Sequence, residues 1–274
     1  MPGAVSSPGA RMAPARAPFP DRVNVLGVGV SALTIERALA QFDAWIAGGA
    51  REFVCIADAH AIMQSRWNDD FRAIHNGAGV VSPDGMPLVW LCRAARRSVS
   101  RVYGPDLLLA TAAHSVGKRY KHFFYGGAPG VADTLAAMLR QKFPDLAVVG
   151  THSPPFRDLT EAEAQDVAAL INRARPDIVW VGLSTPKQER WMAGFRARLD
   201  APILIGIGAA FDFHSGSKPQ APYWIQRSGF EWLFRLATEP ARLWPRYRRV
   251  VPGFLWHLAL QKSGIRRYDL PPQT

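Results

Sequence analysis

The sequence has few cysteines, no long apolar run and neither of two common catalytic motifs, so several classes of function are not supported. Its 274 residues include only two cysteines, Cys55 and Cys92, with no Cys-x-x-Cys pair. Both lie in apolar segments, so we expect buried thiols in a reducing compartment rather than disulfides or a zinc site. No apolar run approaches the roughly 18 residues that span a bilayer. Walker A and Gly-x-Ser-x-Gly sequences are absent as well, which leaves P-loop and serine-hydrolase hypotheses without support.

The first residues also lack the apolar core of a secretory signal. Residues 1–21 are rich in proline, alanine and glycine and carry Arg11 and Arg16. Such a composition buries too little apolar surface to fold by itself. We expect a disordered leader over 1–21 and a cytoplasmic protein.

Acidic residues are scarce, and the excess of positive charge is concentrated near the end of the chain. The 33 Lys and Arg outnumber the 22 Asp and Glu, a net charge of +11. Residues 227–267 hold nine Lys or Arg against two Glu, and residues 222–274 hold four of the nine tryptophans. Basic residues interleaved with tryptophan suit an anionic membrane surface or nucleic acid. Alternatively, the apolar side chains of this region pack on the core or on a partner subunit. We predict a basic appendage over 222–274, following an α/β domain over 22–221.

Apolar segments of strand length alternate with amphipathic segments of helix length. This alternation predicts an α/β fold, Rossmann-like, with a mostly parallel sheet and helices on both faces, plus a basic helical C-terminal appendage. In the appendage, Trp224–Ala237 has the apolar spacing of one amphipathic helix. Pro240, Pro245 and Pro252 predict that the rest is broken into short pieces.

Residues that could carry chemistry follow several of the predicted strands. They are Asp58 and His60, Asp84, Gly126–Gly130, Gly182–Gln188, and Asp212 in the segment 208–214. The carboxyl ends of parallel strands lie at one edge of a sheet, where open α/β folds bind their ligands. We therefore expect a single crevice built from these five segments.

Asp84 occupies the most specific of these positions. Ser82-Pro83-Asp84-Gly85 ends a buried strand, and an apolar helix start follows from Met86. Proline cannot continue the strand ladder, and glycine tolerates a sharp turn. An aspartate presented there could act as a general base, or it could only stabilise the turn or cap the helix.

Two further segments are candidates for phosphate binding. Gly126, Gly127 and Gly130 precede a predicted helix and could leave backbone N–H groups open to an anion, although an ordinary turn has the same composition. Pro186 occupies a helix start and Lys187 follows it. A cation opposes the dipole at a helix N-terminus, which favours an anionic ligand there over a merely solvated face.

Two competing hypotheses rest on weaker patterns. Gly27–Ala32 matches Gly-x-Gly-x-x-Ala, which would imply an NAD-dependent oxidoreductase, but the helical spacing starts only near Thr34 and the segment before it suggests extended chain or a hairpin. Asp58, His60, Asp84, Asp212 and His214 could form a metal cluster. We expect neither a metal nor a cofactor.

Several longer motifs carry a resemblance to a known family. They are Ser82-Pro83-Asp84-Gly85-Met86-Pro87, residues 101–107, residues 126–132, residues 182–189, residues 206–213, and the tail from Ala221-Pro222 to Arg242. In this order they resemble the WecG/TagA/CpsF family of bacterial glycosyltransferases, from about Val23 to Leu260.

The resemblance implies an inverting, metal-independent transfer of a sugar from a UDP-sugar to a polyprenyl-diphosphate-linked sugar, at the inner face of the cell membrane. It places the general base on Asp84, a pocket arginine on Arg101 and the PKQE glutamine on Gln188. Its two appendage arginines fall on Arg235 and Arg242. The remaining residues expected to bind substrate lie in the same motifs or at the strand ends: Asp58, His60, Asp106, Gly126, Gly127, Gly130, Gly182, Pro186, Lys187 and Asp212.

The chain departs from the family at two places. Ile56-Ala57-Asp58 replaces the usual Thr-x-Asn, so the resemblance does not carry over the family's contacts there or a donor sugar such as N-acetylmannosamine. Pro245 replaces a third appendage arginine, for which Arg246 is a plausible substitute. The expected partners are the UDP-sugar, the lipid-linked acceptor and an anionic membrane surface. A second copy of the chain stays open, and nucleic acid is not expected. The alternative without catalysis is a basic lipid- or nucleic-acid-binding module.

Overall fold

The computed structural model describes residues 20–95, 97–208, 210–211 and 221–271. The chain opens with a two-stranded antiparallel hairpin, β1 (Arg22–Val25) and β2 (Val28–Ser31). Leu26 and Gly27 form its turn, with φ of 53° and 87°. The extended chain or hairpin predicted before Thr34 is therefore a hairpin.

A six-stranded sheet, parallel in every pair, forms the centre of the fold. Its strands are β3 (Glu52–Ala57), β4 (Val80–Pro83), β5 (Lys121–Gly126), β6 (Ala147–His152), β7 (Ile178–Gly182) and β8 (Ile203–Gly206), in the order β4-β3-β8-β7-β5-β6. The predicted α/β fold with a parallel sheet is confirmed. The direction in which successive strands are added to the sheet reverses after β4 and again after β6. Such reversals open crevices at the carboxyl edge of a parallel sheet.

Helices follow the strands in the alternation that the sequence predicted. They are α1 (Ile35–Gly48), α2 (Ala59–Trp67), α3 (Asp69–Gly77), α4 (Met86–Ala94), α5 (Gly104–Lys118), α6 (Val131–Lys142), α7 (Glu161–Ala174) and α8 (Lys187–Phe195). After the sheet come α9 (Tyr223–Ser228), α10 (Glu231–Thr238) and α11 (Pro240–Lys262).

The two faces of the sheet bury two separate hydrophobic cores. Neighbouring strand residues point to opposite faces, so Val54 and Trp180 join one core while Cys55 and Val181 join the other. Helices α1, α5 and α6 cover the first core. The second core is covered by α2, α4, α7, α8 and α11, together with the hairpin. Helices on both faces, as predicted, leave the strand ends as the place for a site.

The appendage differs from its predicted organisation in two ways. Trp224–Ala237 is not one helix, because Gly229 adopts a left-handed φ of 84° and separates α9 from α10. A side chain at Gly229 would lie 2.8 Å from the Trp90 ring, so the chain bends closely around that tryptophan.

The second correction concerns the prolines. Helix α11 runs unbroken for 23 residues with Pro245 and Pro252 inside it. Pro240 lies in the first turn, where the missing N–H of proline costs no hydrogen bond within the helix. The interior prolines are tolerated because Leu243, Val250 and Phe254 of this helix are buried. Tertiary packing of one face outweighs the propensity penalty.

The rest of the tail also packs against the α/β part of the chain. Tyr268 is buried, and the Asn24 side chain donates to its carbonyl oxygen. The Gln261 side-chain oxygen accepts from the Leu26 N–H at 3.1 Å. The division of the chain at 221/222 stays a prediction. In the described ranges, no helix is both long and apolar enough to cross a bilayer.

Candidate active site

Two cavities meet at the carboxyl edge of the sheet. The first, of about 540 Å³, lies between α4, α10 and α11, and most of its walls are apolar. The second, of about 440 Å³, lies between the ends of β3 and β8, the starts of α5 and α8, and the α10–α11 connection. We call them the apolar cavity and the polar cavity. Five residues line both: Asp58, His60, Asp84, Arg235 and Tyr247.

Asp84 is fixed at this junction by the strand that precedes it. It follows β4 directly, and its N–H donates to the Ala57 carbonyl oxygen on the neighbouring strand at 3.0 Å. The N-cap of α4 is Gly85, and no side chain caps that helix. The alternative that Asp84 caps the helix is therefore wrong, since its carboxylate takes a different partner.

That partner is Arg101, which binds both the side-chain carboxylate and the main-chain carbonyl of Asp84. The Nη2 of Arg101 donates to Oδ1 of Asp84 at 2.9 Å, and its Nε donates to the Asp84 carbonyl oxygen at 2.6 Å. The guanidinium also lies 4.1 Å from the centroid of the Tyr103 ring. A planar fork bound at several points is held in one orientation.

Glu231 extends this pair into a network that reaches the appendage. Its Oε2 accepts from Nη2 of Arg101, and its Oε1 accepts from Nη2 of Arg235, each at 2.6 Å. Arg235 also reaches the hydroxyl of Tyr103 at 3.4 Å. Sequence reasoning missed Glu231, although its position four residues before Arg235 is the spacing of a helical ion pair.

The surroundings of Asp84 favour its protonated form more than water does. Burial raises the pKa of Asp84 to about 6; the charge of Arg101 lowers it and that of Glu231 raises it. For Arg101 and Arg235, burial disfavours the charge, but the carboxylates around them raise the pKa of both above its usual value. Asp84 thus lies at the junction of the two cavities with a pKa of about 6, which is a property that general bases require.

Asp58 and His60 also reach the junction, as the sequence predicted. Asp58 is the N-cap of α2, and one of its oxygens accepts from the Ala61 N–H at 2.9 Å. Burial lowers the pKa of His60, which favours the neutral ring. The Nδ1 of His60 is buried without a hydrogen-bond partner among the described residues.

Gln188 lies on the wall of the polar cavity and is 3% exposed. Its Nε2 donates to Oε1 of Glu189 at 3.0 Å, and the hydroxyl of Thr185 donates to the same oxygen at 2.9 Å. The Gln188 Oε1 is buried and has no partner in the described part of the chain. Since the amide N–H is bound to Glu189, Gln188 offers a hydrogen-bond acceptor to this wall.

Arg242 lines the polar cavity and pairs with Glu239, with 2.6 Å from its Nε to the carboxylate. Arg246, one turn further along α11, lines the same cavity. It is thus positioned to replace the arginine that Pro245 removes. Tyr103 and Tyr247 complete the wall. Tyr103 lies in the motif 101–107, although the sequence analysis assigned it no role, whereas no motif pointed to Tyr247.

Other predicted residues lie at this edge of the sheet but do not line either cavity in the described ranges. They are Asp106, Gly126, Gly127, Gly130, Gly182, Pro186 and Lys187. Gly127 donates to the Gly182 carbonyl oxygen at 3.0 Å, and Gly130 is the N-cap of α6. Lys187 is exposed. Asp212 lies outside the described residues, so its predicted role stays a prediction.

Neither competing hypothesis gains support from the described residues. Gly27 lies in the hairpin turn and Gly29 in β2, and the next helix begins only at Ile35. The dinucleotide pattern therefore has no helix N-terminus to offer a pyrophosphate. Among the described residues, no three His, Cys, Asp or Glu side chains form a group that could hold a metal ion. His214, like Asp212, lies outside them.

Comparison with known proteins agrees with the motifs. The model of the glycosyl transferase WecG/TagA/CpsF family matches residues 23–268. A protein of Bacillus subtilis strain 168 is 30% identical over 203 residues, which cover 74% of this chain and 77% of that protein. A protein of Staphylococcus aureus strain NCTC 8325 is 22% identical over 251 residues, covering 90% and 95%.

Both relatives are N-acetylglucosaminyldiphosphoundecaprenol N-acetyl-beta-D-mannosaminyltransferases. So is a protein of Bacillus spizizenii that is 29% identical over 195 residues, with 71% of this chain and 74% of that protein covered. Because the family model spans nearly all of the described chain, the protein belongs to the WecG/TagA/CpsF family of glycosyltransferases.

Proposed function

We propose that the protein transfers a sugar from a UDP-sugar to a polyprenyl-diphosphate-linked sugar, in one inverting step, with Asp84 as the general base. The observation that carries this proposal is the meeting of a polar and an apolar cavity at Asp84. A reaction between a charged nucleotide and a lipid-linked sugar needs two such sites joined at the reacting atoms.

The polar cavity suits the nucleotide diphosphate of the donor. Arg235, Arg242 and Arg246 line it, and Gln188 offers an acceptor to an N–H or O–H of the ligand. Guanidinium groups bind phosphate oxygens through paired hydrogen bonds. The positive charge that the leaving diphosphate requires is thus supplied by side chains of this chain.

The apolar cavity suits the isoprenoid part of the acceptor. Apart from the charged groups at the junction and Lys262, its lining consists mainly of Met86, Trp90, Leu91 and apolar residues of α11 such as Val250, Phe254 and Leu258. Trp90 and Leu255 line it and are 50% and 60% exposed. An amphiphile with its apolar chain here would place its diphosphate near Arg101 and Arg235.

The chemistry at the junction follows from these placements. The acceptor hydroxyl gives its proton to a carboxylate oxygen of Asp84 as the hydroxyl oxygen bonds to the anomeric carbon of the donor. The bond from that carbon to the phosphate oxygen breaks, and UDP leaves with the electron pair. Attack from the face opposite the leaving group inverts the anomeric carbon, and Asp84 later returns the proton to solvent.

The acceptor also places the protein at a membrane. We propose that it works as a peripheral protein on the inner face of the cell membrane. Trp224, Trp244 and Trp256 of the appendage are 71%, 59% and 64% exposed. Arg248 and Arg249 of α11 are exposed as well. Tryptophan favours headgroup depth, and each basic residue near an anionic surface adds about 1 kcal/mol.

We propose that the donor sugar of this protein differs from that of the related proteins. Those proteins act with N-acetylmannosamine on an N-acetylglucosamine-diphosphate lipid. We propose the same class of acceptor for this chain. Ile56, with an apolar side chain, and Asp58 line the polar cavity in place of the family's Thr and Asn. A changed donor sugar is the expected consequence, because hydrogen-bonding groups discriminate strongly between ligands.

A thermal-shift comparison with a transfer assay tests the function. UDP should raise the melting temperature more than NAD or an oligonucleotide does, because the proposed donor is a UDP-sugar and UDP is its leaving group. Transfer from a panel of UDP-sugars to a diphosphate-lipid-linked sugar should then identify the donor. Stabilisation by NAD and not by UDP, or full transfer to an acceptor without a lipid diphosphate, would contradict the proposal.

Val251→Trp tests the assignment of the apolar cavity. Val251 lines that cavity and is 36% exposed, so a larger side chain can be placed without disturbing the core. We expect the KM for a long-chain lipid acceptor to rise by about tenfold or more, while UDP binding stays unchanged. Phe156→Trp, at an 83% exposed position outside both cavities, is the matched control. An unchanged KM in Val251→Trp would mean that the isoprenoid binds elsewhere.

A further inference from the structure

One buried carboxylate of the site has no part in the chemistry above. Glu231 is the first residue of α10 and is 8% exposed. No side-chain hydrogen bond caps that helix. A carboxylate so deeply buried is retained only where cations and hydrogen bonds compensate its desolvation.

The compensation comes from Arg101 and Arg235, which the proposed function places near the diphosphate of the acceptor. Arg235 also lines the polar cavity, which is proposed to hold the diphosphate of UDP. Each oxygen of Glu231 takes one guanidinium, Arg101 and Arg235, at 2.6 Å. Arg101 belongs to the segment between α4 and α5, whereas Arg235 belongs to the appendage helix α10. The carboxylate thus lies between two cations from different segments of the chain, and its two oxygens take the positions that two oxygens of a phosphate group could take.

The charges of this cluster are balanced before any substrate enters. Asp84 and Glu231 carry two negative charges in their ionised forms, and Arg101 and Arg235 carry two positive charges. Side-chain exposures of 11% to 33% keep these interactions weakly screened. A diphosphate entering beside an ionised Glu231 would meet a negative charge as well as the two cations.

We propose that Glu231 is a place-holding anion for the diphosphate. While the site is empty, the Glu231 carboxylate forms an ion pair with each of the two arginines. Its negative charge offsets the repulsion between the guanidinium groups of Arg101 and Arg235, so they can stay close together. When a diphosphate binds, Glu231 cedes at least one of the two guanidiniums to it. Glu231 is thus a positioning residue, and the inference rests on the proposed function because it assigns the diphosphate to these arginines.

The exchange also couples the ligand to the appendage. The Glu231–Arg101 ion pair joins the start of α10 to the α/β part of the chain. If the diphosphate takes Arg101, that connection opens, and α10 is then held through the ligand. Binding and release of the diphosphate therefore alter how firmly α10 closes the junction of the two cavities.

Glu231→Gln tests the proposal because it keeps the shape and removes the charge. We expect the Kd of inorganic pyrophosphate and of UDP, measured by calorimetry on the full chain, to fall by about tenfold. The Kd of uridine, which has no phosphate, should not change. Glu161→Gln is the matched control, since Glu161 pairs with Arg198 at 2.8 Å on the exposed surface and lines neither cavity.

A role that is only structural gives a different pattern. Loss of a buried ion pair that merely supports the fold would weaken pyrophosphate, UDP and uridine together, and that result overturns the proposal. Equal pyrophosphate binding in Glu231→Gln and the wild type overturns it as well. If the variant does not fold, Glu231→Asp provides the second test. Its shorter side chain withdraws the carboxylate from the arginines, so tighter pyrophosphate binding is again expected, and unchanged or weaker binding contradicts the proposal.

The wild type separates this inference from the function on which it rests. If the wild-type protein binds neither UDP nor pyrophosphate, the proposed function and the role of Glu231 fail together. If the wild type binds UDP and Glu231→Gln binds it no more tightly, the role of Glu231 fails alone.

Discussion

Asp84→Asn is expected to lower kcat by about 10²–10⁴-fold, the range typical of a lost general base, while UDP binding and the fold are kept. Asparagine preserves the shape of the side chain and can still accept a hydrogen bond from Arg101. It cannot take the proton of the acceptor hydroxyl. The measurement is single-turnover transfer with saturating donor and acceptor, together with the Kd of UDP. Near-normal turnover in the variant would remove Asp84 from the role of base.

The pH dependence of the wild type provides an independent check on the same residue. Burial raises the pKa of Asp84 from its usual 3.8 to about 6. A base acts in its ionised form, so kcat/KM should be constant above this pKa and fall as the pH decreases through about 6. The charged neighbours that set this value are Arg101, Glu231, Arg235 and Asp58. An acid limb at the usual aspartate value would show that another group is the base.

Deletion of residues 240–274 is expected to abolish cooperative folding and, with it, all transfer. The deleted segment contributes Leu243, Val250, Phe254 and Tyr268 to the core, each at most 8% exposed. Burial of one such side chain contributes about 1.5–3 kcal/mol, whereas a whole domain is stable by only about 5–15 kcal/mol. Loss of the thermal unfolding transition is the measurement, and a truncated protein with a wild-type melting temperature would contradict the expectation.

Membrane attachment therefore has to be tested by surface substitutions in the intact chain. The combined variant Trp244→Ser and Trp256→Ser changes two exposed residues and leaves the buried face of α11 in place. It should keep the wild-type melting temperature but bind less to anionic vesicles in a flotation assay. Phe156→Ser, at an 83% exposed position between β6 and α7, is the control for loss of an exposed aromatic side chain elsewhere.

The sequence by itself determined the local features of this protein. Alternating apolar segments predicted a parallel sheet covered on both faces, because a strand with two buried faces has to be apolar throughout. Ser82-Pro83-Asp84-Gly85 placed Asp84 at a strand end, since proline and glycine together favour a turn after a buried apolar strand. The excess of Lys and Arg after residue 222 marked the appendage. Each of these features depends on residues close together in the chain, or on the period of a strand or helix.

The tertiary structure decided what distant residues do to one another. Arg101 and Glu231 lie 130 residues apart, and no spacing rule connects them. Helix α11 continues through Pro245 and Pro252 because its other face is buried against the core, a gain that local propensity does not contain. The junction of the two cavities at Asp84 exists only because α10 and α11 pack over the strand ends. Burial at that junction, which raises the pKa of Asp84, arises only once the chain has folded.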